Sequence, residues 1–483
     1  MNNIQQYVCA VIPAPMLNNI ARHDGHEAAG HARSTLEQMQ GIGSQRLFSL
    51  VAPETVAQPA LLTPPKRSRH VYDAEHRLRL PGRLQMSEHK ARGTDVSVNE
   101  AYDGSGATFD FFAQVFGRNS LDGRGMRLDS TVHYSVRFDN AMWNGRQMVY
   151  GDGDGILFRR FTISLEVTAH EHTHGFTQSA LGLGYFGETG ALNEHISDAF
   201  GMMVKQYTYR LTARKSDWLI GTGLFTAAVR GKAIRSMAAP GTAYDDPVLG
   251  RDPQPSHMRD YVDTDDDNGG VHINSGILNY AFYQAANVLG GNTWEVLGTL
   301  WYATITTQRL APTAGFLDFA QATVDVAGEL YGNGGHVQEI VYEAWVNVGL
   351  LPRLPVTSTR IPPSPQPAPL TTNIGKENTI MSTEYPDLQH RDITASMYAL
   401  HTGELEMVNT ATADTPNGRV QRLVEIYGSV KPFLVALSTL VIIPASWRNG
   451  IRVFIGALDA VAIVAPQLGP GDVVPEFKAG KDL

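Results

Sequence analysis

From Phe161 onward apolar residues recur at intervals of three and four, the period of amphipathic helices. "SLEVTAHEHTHGFTQSALG", "NEHISDAFGMMVKQYTY" and "HINSGILNYAFYQAANVLG" each read as one helix, and two more follow around "WEVLGTLWYATITTQ" and "HVQEIVYEAWVNVGL". Upstream, residues 68 to about 155 alternate apolar and polar positions between the turn signals "DGSG", "LDGRG" and "GDGDG", which predicts a β-rich segment. The first 45 residues are rich in Ala, Leu, Glu and Arg and predict a short helical segment that stops at glycine. Two proline-rich stretches, 46–68 and 352–370, predict linkers. Beyond them, 371–483 has an apolar pattern broken by Pro432 and Pro444, read as a helical hairpin behind a flexible lead. The expected organisation is a helical segment (1–45), a β-rich lobe (69–160), a helical lobe (161–351) and a C-terminal extension, in the α+β class.

Composition narrows this picture. The 483-residue chain is 43% hydrophobic and 18% charged, as expected of globular domains. A net charge of −9 gives no basis for a nucleic acid partner. The single cysteine, Cys9, rules out an internal disulfide framework. The opening "MNNIQQYVCAVIPAPML" lacks a basic region and a long apolar core, so it does not read as a secretory signal. The apolar runs Phe433–Ile443 and Val453–Ala465 are too short to predict a transmembrane helix.

The chemistry concentrates at "HEHTH", His170–His174. Positions four apart share a helix face, so His170 and His174 can meet one ion while His172 faces elsewhere. Glu171 is next to the first of them, close enough to act on water at a metal without ligating it. Alone, the pentapeptide leaves a chance match open. A catalytic zinc needs three protein ligands and one open position. "GALNEHISDAFG" follows a glycine-rich turn and offers Glu194 as the third ligand, with Asp198 one helical turn on. Asp198 is placed to accept the second ring N–H of a ligand histidine, and Asn193 beside Glu194 joins it as a supporting group.

"HEHTH", "GALNEHISDAFG", "NAMWNG", "MVYGDGDG" and "DNGGVHINSGILN", in this order between about Val71 and Leu351, resemble the thermolysin-like zinc metalloproteases. "VIPAPMLNNIA" resembles the start of the short propeptide of the protealysin-like branch. The resemblance implies a two-lobe fold with the zinc helix between a β-rich and a mainly helical lobe. It implies one catalytic Zn²⁺ on His170, His174 and Glu194, with Glu171 as general base. His272 and Tyr185 would donate to the oxyanion, Asp267 would orient His272, and Arg235 would grip the carbonyl next to the scissile bond. Asn140 and the backbone of Ala141 would hold the substrate extended, and Phe158, Val167 and Ile234 would line the pocket beyond the cut. The implied activity is a neutral endopeptidase using zinc-activated water, cutting proteins and peptides on the amino side of bulky hydrophobic residues. It would be made as a precursor inhibited by its own propeptide.

Two features depart from that family. Of the carboxylates of the double calcium site only Glu166 is kept, Lys205 stands where a glutamate belongs, and "SDWLIGTG" offers Asp217 but then Leu219 and Thr222. A lysine repels Ca²⁺ and can pair with Glu166, so the double calcium site is expected to be absent. "DTDDDNGG" (263–270) reads as a solvated loop that supplies Asp267, with calcium binding as the alternative. The adjacent prolines of the branch are split here as "PAP", and a plug through Pro13–Leu17 is expected to lie over the cleft. Cys9, just upstream, reads either as a small buried hydrophobe or as a soft ligand able to block the metal. Two other functions stay open: a zinc aminopeptidase, against which no acidic amine anchor precedes "HEHTH", and a zinc-binding interaction protein plugged for good. The resemblance points to action outside the cell by a non-classical route, with a cytoplasmic precursor as the alternative.

Overall fold

Residues 9–51 and 64–353 are described by the computed structural model, so the expected C-terminal hairpin, most of both linkers and the two late apolar runs lie outside the described residues. The β-rich lobe is built on one six-stranded sheet of β1 (Cys9–Ala10), β2 (Arg69–Asp73), β3 (Arg83–Ser87), β4 (Leu128–Val132), β5 (Ala141–Trp143) and β6 (Met148–Tyr150). Their order across the sheet is β1-β5-β6-β4-β2-β3. β2, β4 and β6 run parallel, whereas β5 is antiparallel to β6 and β3 to β2. Met142 and Val149 of adjacent strands bury one face against Ala10, Ala74, Tyr134 and Phe138.

This lobe is less purely β than its alternating pattern predicts. It contains α3 (Val96–Phe116), a 21-residue helix capped by the Asp95 side chain on the Val98 N–H (3.0 Å). Its "DGSG" is not a turn. Gly104 and Gly106 are the points where the helix backbone closes on its neighbours: a Cβ at Gly104 would stand 2.8 Å from Thr168 Cγ2, and one at Gly106 would run into the Arg69 guanidinium. Glycine here answers close packing, and local propensity gave way to it.

The second lobe is helical, as expected: α4 (Leu165–Ala180), α5 (Gly187–Tyr209), α6 (Asp267–Leu289), α7 (Thr299–Thr306), α8 (Phe316–Tyr331) and α9 (His336–Asn347). α4 is buried without a break from Glu166 to Thr177, the pattern of a helix at the centre of a domain. α5 starts earlier than its pattern suggested, and α8 was not anticipated. At Gly201 α5 meets α4 so closely that a Cβ would fall 2.7 Å from the Glu166 carbonyl oxygen. α6 opens with Asn268–Gly270 in left-handed conformation, which leaves Asp267 standing ahead of the regular helix. Stacked Trp301 and Trp345 with Phe319 form the core under α7, α8 and α9.

The N-terminal segment is two helices, α1 (Ala14–Arg22) and α2 (Ala28–Val51), where one run ending at glycine was expected. α2 passes through Gly41 and Gly43 and extends into the stretch read as linker. Both helices pack on the rest of the chain: Met16, Leu17 and Ile20 are buried, and the Asp139 N–H donates to Thr35 Oγ1 (3.0 Å). No described helix is long and apolar enough to cross a membrane.

Candidate active site

α4 presents His170 and His174 on one face, as the four-residue spacing dictates. Their Nε2 atoms are 3.1 Å apart. Glu194, from α5, brings its carboxylate to 3.4 Å of His170 Nε2 and 3.3 Å of His174 Nε2. All three are buried. The outer nitrogens are held from behind: His170 Nδ1 lies 2.8 Å from Asp198 Oδ1, and His174 Nδ1 lies 3.0 Å from Asn193 Oδ1. A carboxylate only accepts, so His170 carries its proton on Nδ1 and turns the Nε2 lone pair inward. His172 points away, bonded through Nδ1 to the Thr168 carbonyl, and burial pulls its pKa down to about 4.

The three residues fit a zinc ion. One nitrogen from each of two histidines and one carboxylate oxygen lie within 4.8 Å of one another, which is the N/O donor set of a catalytic zinc. Glu194 Oε2 is buried with no hydrogen-bond partner, a cost that a cation at this point removes. His76, His133 and Asp152 are the other such group among the described residues, and it is partly exposed. There His133 is clamped between Asp152 and Asp95, each at 2.9 Å.

Glu171 is fully buried beside this face. One of its oxygens accepts from the Trp143 N–H of β5 (2.8 Å), the other has no partner, and burial pushes the carboxyl up to about 7. Across the site Tyr185 Oη donates to Glu194 Oε1 and lies 3.3 Å from His272 Nε2. His272 Nδ1 is 2.6 Å from Asp267 Oδ1, and Asp267 Oδ2 also accepts the His272 N–H (2.8 Å). Burial alone would lower the His272 pKa, but Asp267 and Glu194 outweigh it and raise it to about 9.

Arg235, on a short strand, holds Asp198 through Nε (2.9 Å) and Nη2 (2.8 Å). Together with His170 it overcomes the upward push of burial and keeps the Asp198 carboxyl far below the ordinary range. Two groups escaped the sequence reading. Asn279 Nδ2 donates to Asp198 Oδ2 (2.8 Å), and Ser197 Oγ is 3.1 Å from His174 Nδ1. Both lie inside quoted motifs, yet their roles depend on how helices face each other. Phe158, Val167 and Ile234 are all buried, Val167 one turn ahead of the zinc face and Ile234 next to Arg235. Phe158 bridges to Phe225.

The cleft edge is taken by the chain's own N-terminus. β1 pairs antiparallel with β5, Cys9 opposite Trp143 and Ala10 opposite Met142. The Val11 N–H donates to the Ala141 carbonyl (3.1 Å), and Arg235 Nη1 donates to the Val11 carbonyl (3.2 Å). Asn140 accepts from the Ile12 N–H (2.9 Å) and donates to its carbonyl (3.0 Å). The backbone contacts are made by Cys9–Ile12, directly upstream of the expected Pro13–Leu17 plug, where Pro13 caps α1 and Met16 and Leu17 are buried. Cys9 is buried with Tyr185 and Val271, its thiol in hydrogen-bonding reach of His174.

Residues 56–178 match the thermolysin metallopeptidase catalytic domain, and residues 181–350 match the thermolysin metallopeptidase alpha-helical domain. An extracellular metalloprotease of Pectobacterium carotovorum subsp. carotovorum is 46% identical over 344 residues, 71% of this chain and 96% of that protein. The chain belongs to the thermolysin family of metalloproteases. Protease PrtS of a Photorhabdus species is 45% identical over 284 residues, 58% of this chain and 76% of that protein. Among solved structures, the precursor of protealysin from Serratia proteamaculans matches with a TM-score of 0.64 and 46% identity, covering 71% of this chain and 99% of that one. As a thermolysin-family member of the protealysin-like kind, the chain is a zinc metalloendopeptidase, and His170, His174 and Glu194 form a site suited to its metal.

Proposed function

We propose that this protein is made as a self-inhibited precursor of a neutral endopeptidase that cuts before bulky hydrophobic residues. The observation that carries the reading is the segment Cys9–Ile12, whose strand β1 sits on β5 and whose backbone is held by Asn140, Ala141 and Arg235. Those are the groups expected to hold a substrate, and the segment adds to the sheet edge as an extended peptide does. The propeptide is assigned to residues 1–45, continued by α2 to Val51.

In the open enzyme His170, His174 and Glu194 would hold the zinc. When bound, zinc supplies a Lewis acid that polarises the scissile carbonyl and lowers the pKa of water beside it. Glu171 takes the proton of the attacking water and returns it to the leaving amine; the Trp143 N–H holds one of its oxygens and leaves the other for that proton. The His272 imidazolium, kept protonated and aimed by Asp267, donates to the oxyanion together with Tyr185 Oη–H. Arg235 fixes the carbonyl following the cut, and Asp198 fixes both Arg235 and His170. Phe158, Val167 and Ile234 line an apolar pocket that favours a large hydrophobic residue there.

Lys205 supports the reading that the double calcium site is missing. Its ammonium gathers Asp217 (3.0 Å), Glu166 (3.4 Å), the Leu219 carbonyl (3.3 Å) and Thr222 Oγ1 (3.2 Å), so a cation already belongs to the chain there. Relatives that are extracellular metalloproteases support action outside the cell, with export by a non-classical route as the finer reading. Digestion of a denatured protein, with cut sites read by mass spectrometry, tests the specificity. Leu, Ile, Val and Phe should dominate directly after the cut. Release of single N-terminal residues would favour an aminopeptidase.

A further inference from the structure

We propose that Cys9 is a latch of the precursor: its thiolate takes the open fourth position on the zinc held by His170, His174 and Glu194. The proposal rests on the peptidase reading above. Three contacts bracket the thiol. It reaches His174, it packs on Tyr185, and its strand partner Trp143 is the residue whose N–H holds Glu171. Trp143 and Tyr185 in turn hold Glu171 and Glu194, each fully buried with one carboxylate oxygen lacking a partner. Buried oxygens of that kind call for a cation, and a catalytic zinc leaves one position vacant.

The chemistry suits a thiol at that vacancy. Zn²⁺ binds thiolate sulfur well, and a nearby cation lowers a thiol's pKa enough to ionise it. Ligation breaks the S–H bond, forms a sulfur–metal bond from the sulfur's own electron pair and releases the proton to solvent. Nothing is oxidised or reduced. The N-terminal strand then closes the site twice, once by occupying β5 and once by filling the position that water needs. The backbone hydrogen bonds of Val11 and Ile12 fix the register that delivers Cys9, so neither lock works at full strength without the other.

Cys9 is the one cysteine of the 483-residue chain, so any thiol signal belongs to it. The test uses the full chain carrying Glu171→Ala, which cannot process itself, loaded with Co²⁺. A thiolate-to-cobalt charge-transfer band in the near ultraviolet is expected. It should vanish in Glu171→Ala/Cys9→Ser and Glu171→Ala/Cys9→Ala, which still bind one cobalt each. Removing the metal with a chelator should speed the reaction of Cys9 with an aromatic disulfide about tenfold or more. In the chain with Glu171 intact, Cys9→Ser should shorten the lag before self-cleavage. One bound cobalt without the band, or a thiol whose reactivity ignores the metal, overturns the latch and leaves the peptidase standing. A chain that binds no cobalt overturns both.

Discussion

Replacing Lys205 by methionine removes a buried cation while keeping most of the side chain's volume. The lysine side chain is 9% exposed, and its ammonium faces Glu166, itself 3% exposed, across 3.4 Å. Removing one partner of a buried ion pair costs about 3–5 kcal/mol, because the other charge stays behind in a low-dielectric site. Here the upper end is too high. Glu166 Oε1 keeps the Thr222 N–H at 2.8 Å, and Asp217, 41% exposed, is rehydrated so that its pair is worth about 0–1 kcal/mol. The carbonyl of Leu219 and the hydroxyl of Thr222 lose a donor each. A net loss of about 3 kcal/mol follows, which lowers Tm by about 5 °C in a catalytic unit of this size, at about 2.1 cal/mol/K of unfolding entropy per residue. Calorimetry on the zinc-loaded protein reads it directly. Two companion measurements tie the result to calcium. Millimolar Ca²⁺ should leave the wild-type Tm unchanged, and Lys205→Glu, which supplies a carboxylate among Glu166 and Asp217, should gain a Tm that rises with Ca²⁺. A Lys205→Met protein that melts with the wild type, or a wild-type Tm that climbs with Ca²⁺, would refute the view that the lysine fills the role of the ion.

Asp198→Asn should lower zinc affinity about 10- to 100-fold in competition with a chelator, since His170 loses the carboxylate that sets its tautomer; unchanged retention of zinc contradicts this. His272→Ala should cut kcat on a quenched peptide about 10²- to 10³-fold with KM nearly constant, whereas an effect confined to KM would assign His272 to binding. His133 carries the pH prediction: hydrogen bonding to Asp152 first, and then to Asp95, raises it from 6.5 to about 9. The folded state binds that proton more tightly, so its contribution, about 1–3 kcal/mol after screening, is complete below pH about 6.5 and is lost as pH rises through about 9. The Tm gap between wild type and His133→Gln should therefore be wide at pH 6 and close by about pH 10; a gap that widens with pH reverses the sign.

The site was legible where it is written along single helices. Two histidines four apart on α4, and Glu194 with Asp198 four apart on α5, are fixed by the helical repeat once the helices form. The roles of Ser197 and Asn279 depend on how α4, α5 and α6 face one another, and residue spacing does not encode a helix-to-helix rotation. The docking of Cys9–Ile12 joins residues 128 positions apart in sequence, beyond the reach of any local pattern. In the fold, α3 was hidden by Gly104 and Gly106, which look like a turn and serve as contact points. By contrast α8 carries an open stripe of Phe316, Phe319, Ala320, Thr323 and Val324, a helical signal as plain as those of its neighbours. His172 shows the opposite case: the 3.6-residue repeat alone excluded it from the metal face, and its bond to Thr168 agrees.

If one buried constellation performs the cleavage and the chain's own N-terminus occupies its cleft, activity has to wait until that segment leaves. A time course of freshly prepared full chain tests it most directly, with mass spectrometry and a quenched-peptide assay on the same samples, beside Glu171→Ala. Activity should be near zero while Cys9–Ile12 remains attached and should rise in step with loss of the N-terminal segment. Glu171→Ala should stay intact and inactive while holding one zinc. Full activity from the uncut chain, or cleavage by Glu171→Ala at the wild-type rate, would contradict the account.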